Sequence, residues 1–300
     1  MNAQSQPLAC PICSCGYSQP KAVSRSGTIF KCKSCRVVYS TKHKNKLENN
    51  QDYYKNVHLD EYFNYYEAFR KKQARVILDK LKKVRCGSYL LDIGCSFGWF
   101  LDEAETMGFN CHGIENSPLV MSYHHQKQTK QVIAKNFNDM VCKKFDVITL
   151  LNVLEHLEDP NQTLDSLKEK LKDNGYLVIA VPNRHGLFHQ LSFLIYLLSL
   201  GKLYQPLDVL FQFDNDFYHR FCFSWDNCRY LLGRSGYKIV SWYKGPAFNP
   251  SSLMERLAIS NTLAKKMKWF LNNKTARWLM VCLNNLSKYS HTQDEIVIFA

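Results

Sequence analysis

The chain has 300 residues, 46% of them apolar and 22% charged, an ordinary globular composition with length for one large domain and a small one. Its formal charge of +13 allows nucleic acid, an anionic membrane surface or an acidic substrate as partner, and equally a lysine-rich background. The start, MNAQSQPLACP, has no basic stretch leading into an apolar run, so no secretory signal is expected. The longest apolar stretch, residues 187–200, is interrupted by His189 and Gln190 and falls short of the roughly 20 residues of a membrane span. The chain is therefore expected in the cytoplasm, with peripheral membrane contact kept open, and its twelve cysteines as thiols or metal ligands.

Residues 1–45 read as a cysteine-rich, loop-rich module. CPIC holds Cys10 and Cys13, CKSC holds Cys32 and Cys35, and eighteen residues separate the pairs. Four thiolates on two tight knuckles suit a tetrahedral zinc ion, whose binding supplies folding energy that so short a segment lacks. Such an ion has no open position, so the expected zinc is structural. Cys15 is a less usual substitute for Cys13, and a redox role for the pairs is the alternative. Residues 46–86 are expected as a linker and helical lid, in which Tyr62, Tyr65, Tyr66, Phe69, Ala74, Ile77, Leu78 and Leu81 return to one side.

From residue 88 short apolar runs alternate with amphipathic segments. Strands are expected at 89–93, 110–114, 131–134, 145–151 and 176–182, and helices at 99–107, 118–125 and 159–171, the last started by Asp159-Pro160. Asp173-Asn174-Gly175 is expected to turn. Continuous apolar strands alternating with helices indicate a parallel sheet covered on both faces, so residues 87–300 are expected as one doubly wound α/β domain. An apolar, aromatic insertion at about 184–218 and another at about 245–292, mostly basic and helix-like, interrupt it. DEIVIFA closes the chain as a last strand.

The loop in LDIGCSFGWF leaves the first of these strands with only two glycines, Gly94 and Gly98. Gly94 permits a backbone bend, and Gly98 lets the following helix pack close. Glu115 stands twenty-one positions after Gly94, at the end of the next strand, where such folds place a carboxylate for ribose hydroxyls. The dense glycine triad that wraps a diphosphate is missing. Together these features point to a ribose-bearing cofactor without a pyrophosphate.

LDIGCSFG, GIEN, FDVITLLNVLEHLEDP and GYLVIAVPN, in that order, resemble the successive motifs of class I S-adenosylmethionine-dependent methyltransferases, and among them the ubiquinone-biosynthesis O-methyltransferase branch. The likeness runs over residues 88–183 and resumes at YHRFCFSWDNCRYLLGRSGYKIV. The zinc-ribbon-like head is similar to that of bacterial sugar C-methyltransferases and relatives in glycan pathways. The resemblance implies a Rossmann-like sheet of seven strands, the last antiparallel, with S-adenosylmethionine across the strand ends. It places Asp92 near the methionine amino group, the backbone of Gly94, Cys95 and Ser96 along the methionine, and Gly98 at the helix start. Glu115 then holds the ribose, Asn136 and Phe137 flank adenine, and Leu151 and Asn152 line the methionine side. Ser96 stands where the family often has Gly, and Asn136 where Asp is common.

Methyl transfer from a sulfonium is an in-line displacement favoured by a water-poor site, and an acidic acceptor needs a general base. His156, in LEHLEDP, and His219, in FYHRF, are the candidates; a ring bonded to the backbone or simply packed is the plain alternative for each. Glu155 is read as structural or as a metal ligand. The expected acceptor is a small molecule, a sugar or a glycan- or lipid-linked intermediate, with O, C or N as its acceptor atom; the apolar insertion reads as a lid over it or as buried cap structure. Lys265, Lys266, Lys268 and Lys274 among Trp269, Phe270 and Leu271 suit anionic headgroups or phosphates, and equally read as ordinary solvated lysines. Two other functions remain in view. RNA methylation suits the charge and the zinc head but lacks the N-P-P-Y-type tetrad. A non-catalytic zinc-containing binding protein would not need Asp92, Gly94 and Glu115 together.

Overall fold

The computed structural model describes residues 9–43, 59–84, 87–127, 132–134, 144–213, 217–246, 282 and 293–300. The expected linker after residue 43, Asn136, Phe137 and, apart from Cys282, the basic stretch at 251–289 lie outside the described residues.

The head holds three strands, β1 (Ser18–Val23), β2 (Gly27–Cys32) and β3 (Val38–Lys42), followed by helix α1 (Leu59–Lys83). Then come β4 (Tyr89–Ile93), α2 (Trp99–Thr106), β5 (Asn110–Ile114), α3 (Pro118–Lys127), β6 (Val132–Ala134) and β7 (Phe145–Leu151). A 3-10 turn at Leu154–His156 leads to α4 (Pro160–Lys170) and β8 (Leu171–Pro182). The chain ends through α5 (Leu187–Leu198), α6 (Gln205–Phe211), β9 (Phe221–Cys222), α7 (Trp225–Arg234), β10 (Ser241–Gly245) and β11 (Glu295–Phe299).

Seven strands form the large sheet in the order β10-β11-β8-β7-β4-β5-β6. Pairings among β4 to β8 are parallel, and β11 runs antiparallel to both β8 and β10. Strand period two divides the apolar residues between two cores. Leu91, Ile148, Leu150, Leu177, Ile179, Ile296 and Ile298 meet Leu164 and Leu167 of α4 and Leu231 and Leu232 of α7. Their alternates Leu90, Val147, Val178, Ala180, Val297 and Phe299 meet Ala74, Ile77, Leu78 and Leu81 of α1 and Leu101 and Ala104 of α2. Residues covered on both faces explain why these strands read as unbroken apolar runs.

Asp159 caps α4 by accepting from the Gln162 amide at 3.0 Å, with Pro160 in the first turn, as the sequence signal requires. One expectation fails. Asp173-Asn174-Gly175 does not end in a turn before the strand but lies within β8, where the register against β7 shifts between Phe145↔Leu171 and Val147↔Tyr176. Pairing with β7 on both sides of these residues absorbs the turn chemistry as a bulge.

The head is not a free appendage. β9, from the middle of the large domain, pairs antiparallel with β3 and extends the head to four strands. The first knuckle is held by Asn161, whose Nδ2 donates to the Ile12 carbonyl at 3.2 Å, and by Arg234, which donates to the same oxygen at 2.8 Å. Asn227 completes the capping box of α7 with Ser224 and donates to the Cys35 carbonyl at 2.7 Å, which ties down the second. The insertion helices pack on this head: Phe193, Leu207, Phe211 and Phe213 share a core with Ala22, Ile29 and Val38.

Candidate active site

From β4 the chain builds outward to β5 and β6 on one side, then returns to β7 and β8 on the other. The carboxyl ends of β4 and β7 are therefore the switch point at which open α/β sheets form their crevice. The loop after β4 uses left-handed backbone three times, at Gly94 (φ 71°), Ser96 (φ 48°) and Gly98 (φ 81°). Gly94 is required twice over, because a Cβ there would lie 2.6 Å from Cγ2 of Val153, in the segment leaving β7. The preference for Gly at position 96 follows from its φ. Here Ser96 is anchored by its amide to Glu115 Oε2 at 3.0 Å and by its carbonyl, which accepts from His124 Nε2 at 2.7 Å.

Asp92, at the end of β4, is buried and accepts a 2.5 Å hydrogen bond from Thr149 Oγ1 on β7. Burial pushes its carboxyl up to about 7, against the opposing pull of that bond. Glu115 is also buried, and accepts from the amides of Ser96, Asn116 and Ser117. A carboxylate offers about four acceptor positions. The ribose diol accordingly fits if one of these amide bonds is shared. Cys95 lies buried beneath the loop, and burial raises its thiol pKa well out of the reactive range.

Leu151 ends β7 and Asn152 follows it. Asn152 is left-handed (φ 58°), and its side chain donates to Glu295 Oε1 at 3.3 Å. The 3-10 turn then brings Glu155 and His156 against the segment before β9. His156 Nδ1 lies 3.2 Å from the Tyr218 carbonyl, which can only accept, so Nδ1 carries the proton and Nε2 the lone pair in the neutral ring. That Nε2 faces Glu155 Oε1 at 3.9 Å. The His219 ring stands edge-on to His156 with centroids 4.7 Å apart, and its Nε2 lies 2.9 Å from the Gln212 amide. Glu155 is fully buried, and neither carboxylate oxygen has a hydrogen-bond partner among the described residues. Burial, with Glu295 nearby, pushes its carboxyl up to about 8.

The four knuckle thiols converge at the other end of the chain. Cys10–Cys35 and Cys13–Cys32 are 3.6 Å apart, and all four sulfurs lie within 4.8 Å of one another. Four sulfurs at Zn–S of about 2.3 Å stand roughly 3.8 Å apart, so the donor set fits a tetrahedral ion. Cys15 does not belong to this cluster.

The structure thus gathers Asp92, Gly94, Cys95, Ser96, Gly98, Glu115, Leu151 and Asn152 around one strand-end crevice, and places His156 and His219 together beside it. Sequence reasoning missed Thr149 as the partner of Asp92, Val153 as the surface against Gly94, and His124 as the support of Ser96. It also missed the aromatic cluster of Phe63, Phe97, Trp99 and Tyr123 next to the loop, with centroids 4.8–5.6 Å apart. Each joins residues from separate elements, and no local spacing announces it.

The strand order and the site at its switch point define a class I S-adenosylmethionine-dependent methyltransferase domain. The chain belongs to the family described as methyltransferase domain, which matches residues 65–241. It is 33% identical over 110 residues to the ubiquinone biosynthesis O-methyltransferase of Actinobacillus pleuropneumoniae serotype 7 (strain AP76), covering 33% of this chain and 47% of that protein. The enzyme of the same description from Pseudomonas aeruginosa (strain UCBPP-PA14) is 29% identical over 107 residues, covering 33% and 46%. The chain spans about half the length of the curated relatives it matches. A solved S-adenosylmethionine-dependent methyltransferase from Archaeoglobus fulgidus is 18% identical with a TM-score of 0.49, covering 83% of this chain and 99% of that one.

Proposed function

We propose that the protein transfers a methyl group from S-adenosylmethionine to a small-molecule acceptor, with a structural zinc in its head. The observation that carries this reading is the arrangement at the switch point: two carboxylates, Asp92 and Glu115, flank a loop with left-handed turns at Gly94, Ser96 and Gly98. Asp92 receives the methionine ammonium, Gly94 to Ser96 lie along the methionine, and Glu115 takes the ribose hydroxyls. Leu151 and Asn152 close the methionine side, and Asn136 and Phe137 are assigned to adenine. The bound cofactor supplies an electrophilic methyl on a sulfonium. His156 and His219 border the acceptor and are the proposed bases for its proton; the neutral His156 ring carries its lone pair on Nε2. The thiolates of Cys10, Cys13, Cys32 and Cys35 hold the zinc as a closed site that shapes the head and performs no chemistry.

The acceptor is a sugar, glycan or lipid-linked intermediate reached from an anionic membrane surface in the cytoplasm. Supporting this, α5 and the turn after it expose Leu197, Leu198, Leu200 and Leu203, with Leu200 87% accessible, and Lys202 stands among them. Arg25 lies beside this tip over Tyr204. No helix among the described residues is long and apolar enough to cross a membrane. Incubation with methyl-labelled cofactor and a cell extract, fractionated by class, tests the reading. Label in water-soluble sugars or in lipid-linked saccharides is expected; label in RNA would overturn the acceptor class.

A further inference from the structure

The last strand returns a carboxylate to the switch point. β11 runs antiparallel to β8, so its first residue, Glu295, pairs with Pro182 and stands level with the carboxyl end of that strand. Gly245 of β10 pairs with it on the other side, which fixes its backbone between two neighbours. The side chain is buried, and its oxygens accept from two amides, Asn152 Nδ2 on Oε1 at 3.3 Å and Gln73 Nε2 on Oε2 at 3.1 Å. These partners lie 143 and 222 positions away in the chain. We propose that Glu295 is the positioning residue for the methionine side of the cofactor site, orienting the Asn152 side chain and tethering α1 through Gln73.

The network around Glu295 requires a carboxylate. Arg70 Nη1 donates to Gln73 Oε1 at 3.0 Å, and Gln73 Nε2 also donates to the Pro246 carbonyl at 2.7 Å. Turning the Gln73 amide over would lose both bonds, so its nitrogen stays toward Glu295. Asn152 presents a nitrogen as well. Only a side chain that accepts at both oxygens satisfies the two donors together, whereas an amide offers one acceptor and one donor. A buried donor left unmade is costly, so the identity of residue 295 decides how Asn152 is held.

Asn152 is otherwise fixed through its backbone, which is left-handed at φ 58° and donates its N–H to the Ala180 carbonyl. Its side chain takes its direction from Glu295. α1 is pinned at two places. Gln73 meets Glu295, and nearer the start of the helix Phe63 stands edge-on to Phe97 of the cofactor loop and Trp99 of α2, with centroids 4.8 and 5.5 Å apart. One carboxylate thereby joins the chain after β7 to the helix that packs on the cofactor loop. That Asn152 faces the methionine rests on the function proposed above. Asp294 is the matched neighbour. It is buried too, but its carboxylate accepts from the Phe188 amide of α5 at 3.1 Å, in another part of the chain.

The test is calorimetric titration of S-adenosylmethionine into the full-length, zinc-loaded protein at about pH 8, above the value of about 7 to which burial raises the Glu295 carboxyl. Affinity is expected to fall about tenfold in Glu295→Gln and to keep its wild-type value in Asp294→Asn. Combining Gln73→Glu with Glu295→Gln is expected to restore affinity to within about threefold. The exchanged pair again meets donor to acceptor, and the new amide keeps its oxygen for Asn152. A role in packing alone gives no such recovery, and thermal melts of each variant show whether the fold is kept. Wild-type affinity in Glu295→Gln, or an equal loss in the combined variant, would overturn the inference. Cofactor binding that ignores residue 295 defeats this inference alone, while no heat from the wild type defeats the methyltransferase reading together with it.

Discussion

Two side-chain clusters of this molecule are built in different ways. The head's cysteines are four like groups on two short knuckles, close in sequence and gathered in space. Glu155, His156 and His219 mix residue types and come from a turn after β7 and a segment before β9. On the function proposed above, the first supports the fold as a zinc site, and the two histidines of the second border the acceptor. Since β9 and the contacts of Asn161, Asn227 and Arg234 join the head to the domain that carries the second cluster, damage at the head should spread, and damage at the crevice should stay local.

Disrupting the head has the largest expected effect. Cys10→Ser, or removal of zinc by a strong chelator, is expected to abolish the cooperative thermal transition, given the roughly 10–16 kcal/mol that structural zinc sites contribute in isolated fingers. Zinc analysis beside thermal unfolding checks this; an unchanged melt after complete zinc loss would detach the head from the fold. Gly94→Ala comes next, because the new methyl meets Val153 while the backbone stays left-handed at φ 71°. A destabilisation of about 1–3 kcal/mol in denaturant is expected, together with loss of cofactor binding.

A pH effect of intermediate size sharpens the crevice side. The Asp92 carboxyl is raised by burial to about 7, so between about 4 and 7 the native chain holds a proton that the unfolded chain has released. Stability in the absence of cofactor therefore falls as pH rises through this window, and Asp294 and Glu295, each also raised to about 7, act in the same direction. A methionine ammonium favours ionised Asp92, so cofactor affinity should strengthen as pH rises through 7. Calorimetry across the window should show a flat profile in Asp92→Asn; a pH response that survives the substitution would place the effect elsewhere. The smallest effect is expected at Ser96→Gly. It relieves a left-handed serine but loosens the unfolded chain, for a net change within about 1 kcal/mol by denaturant melts.

How much was legible follows from the same contrast. Strands such as FDVITLL were readable because burial on both faces leaves an unbroken apolar run, and the two C-x2-C pairs because zinc knuckles are local. The place of Glu115 beside the loop after β4 was legible through its spacing from Gly94, while its ribose role stays a proposal. By contrast, Asp92 is satisfied by Thr149 across a parallel pair, Gly94 is constrained by Val153 from another loop, and β9 joins a sheet that begins more than a hundred residues earlier. These are facts of topology, which local periodicity does not encode. The DNG sequence inside β8 is the reverse case, a clear local signal overridden by pairing with β7.

The central claim is that the crevice between β4 and β7 binds S-adenosylmethionine through Glu115. Titration calorimetry of the cofactor into wild type and Glu115→Ala tests it most directly. One site per chain is predicted, weakened about 10- to 100-fold in the variant by the loss of one or two ribose hydrogen bonds. No heat at millimolar cofactor, or equal affinity in the two proteins, would contradict it.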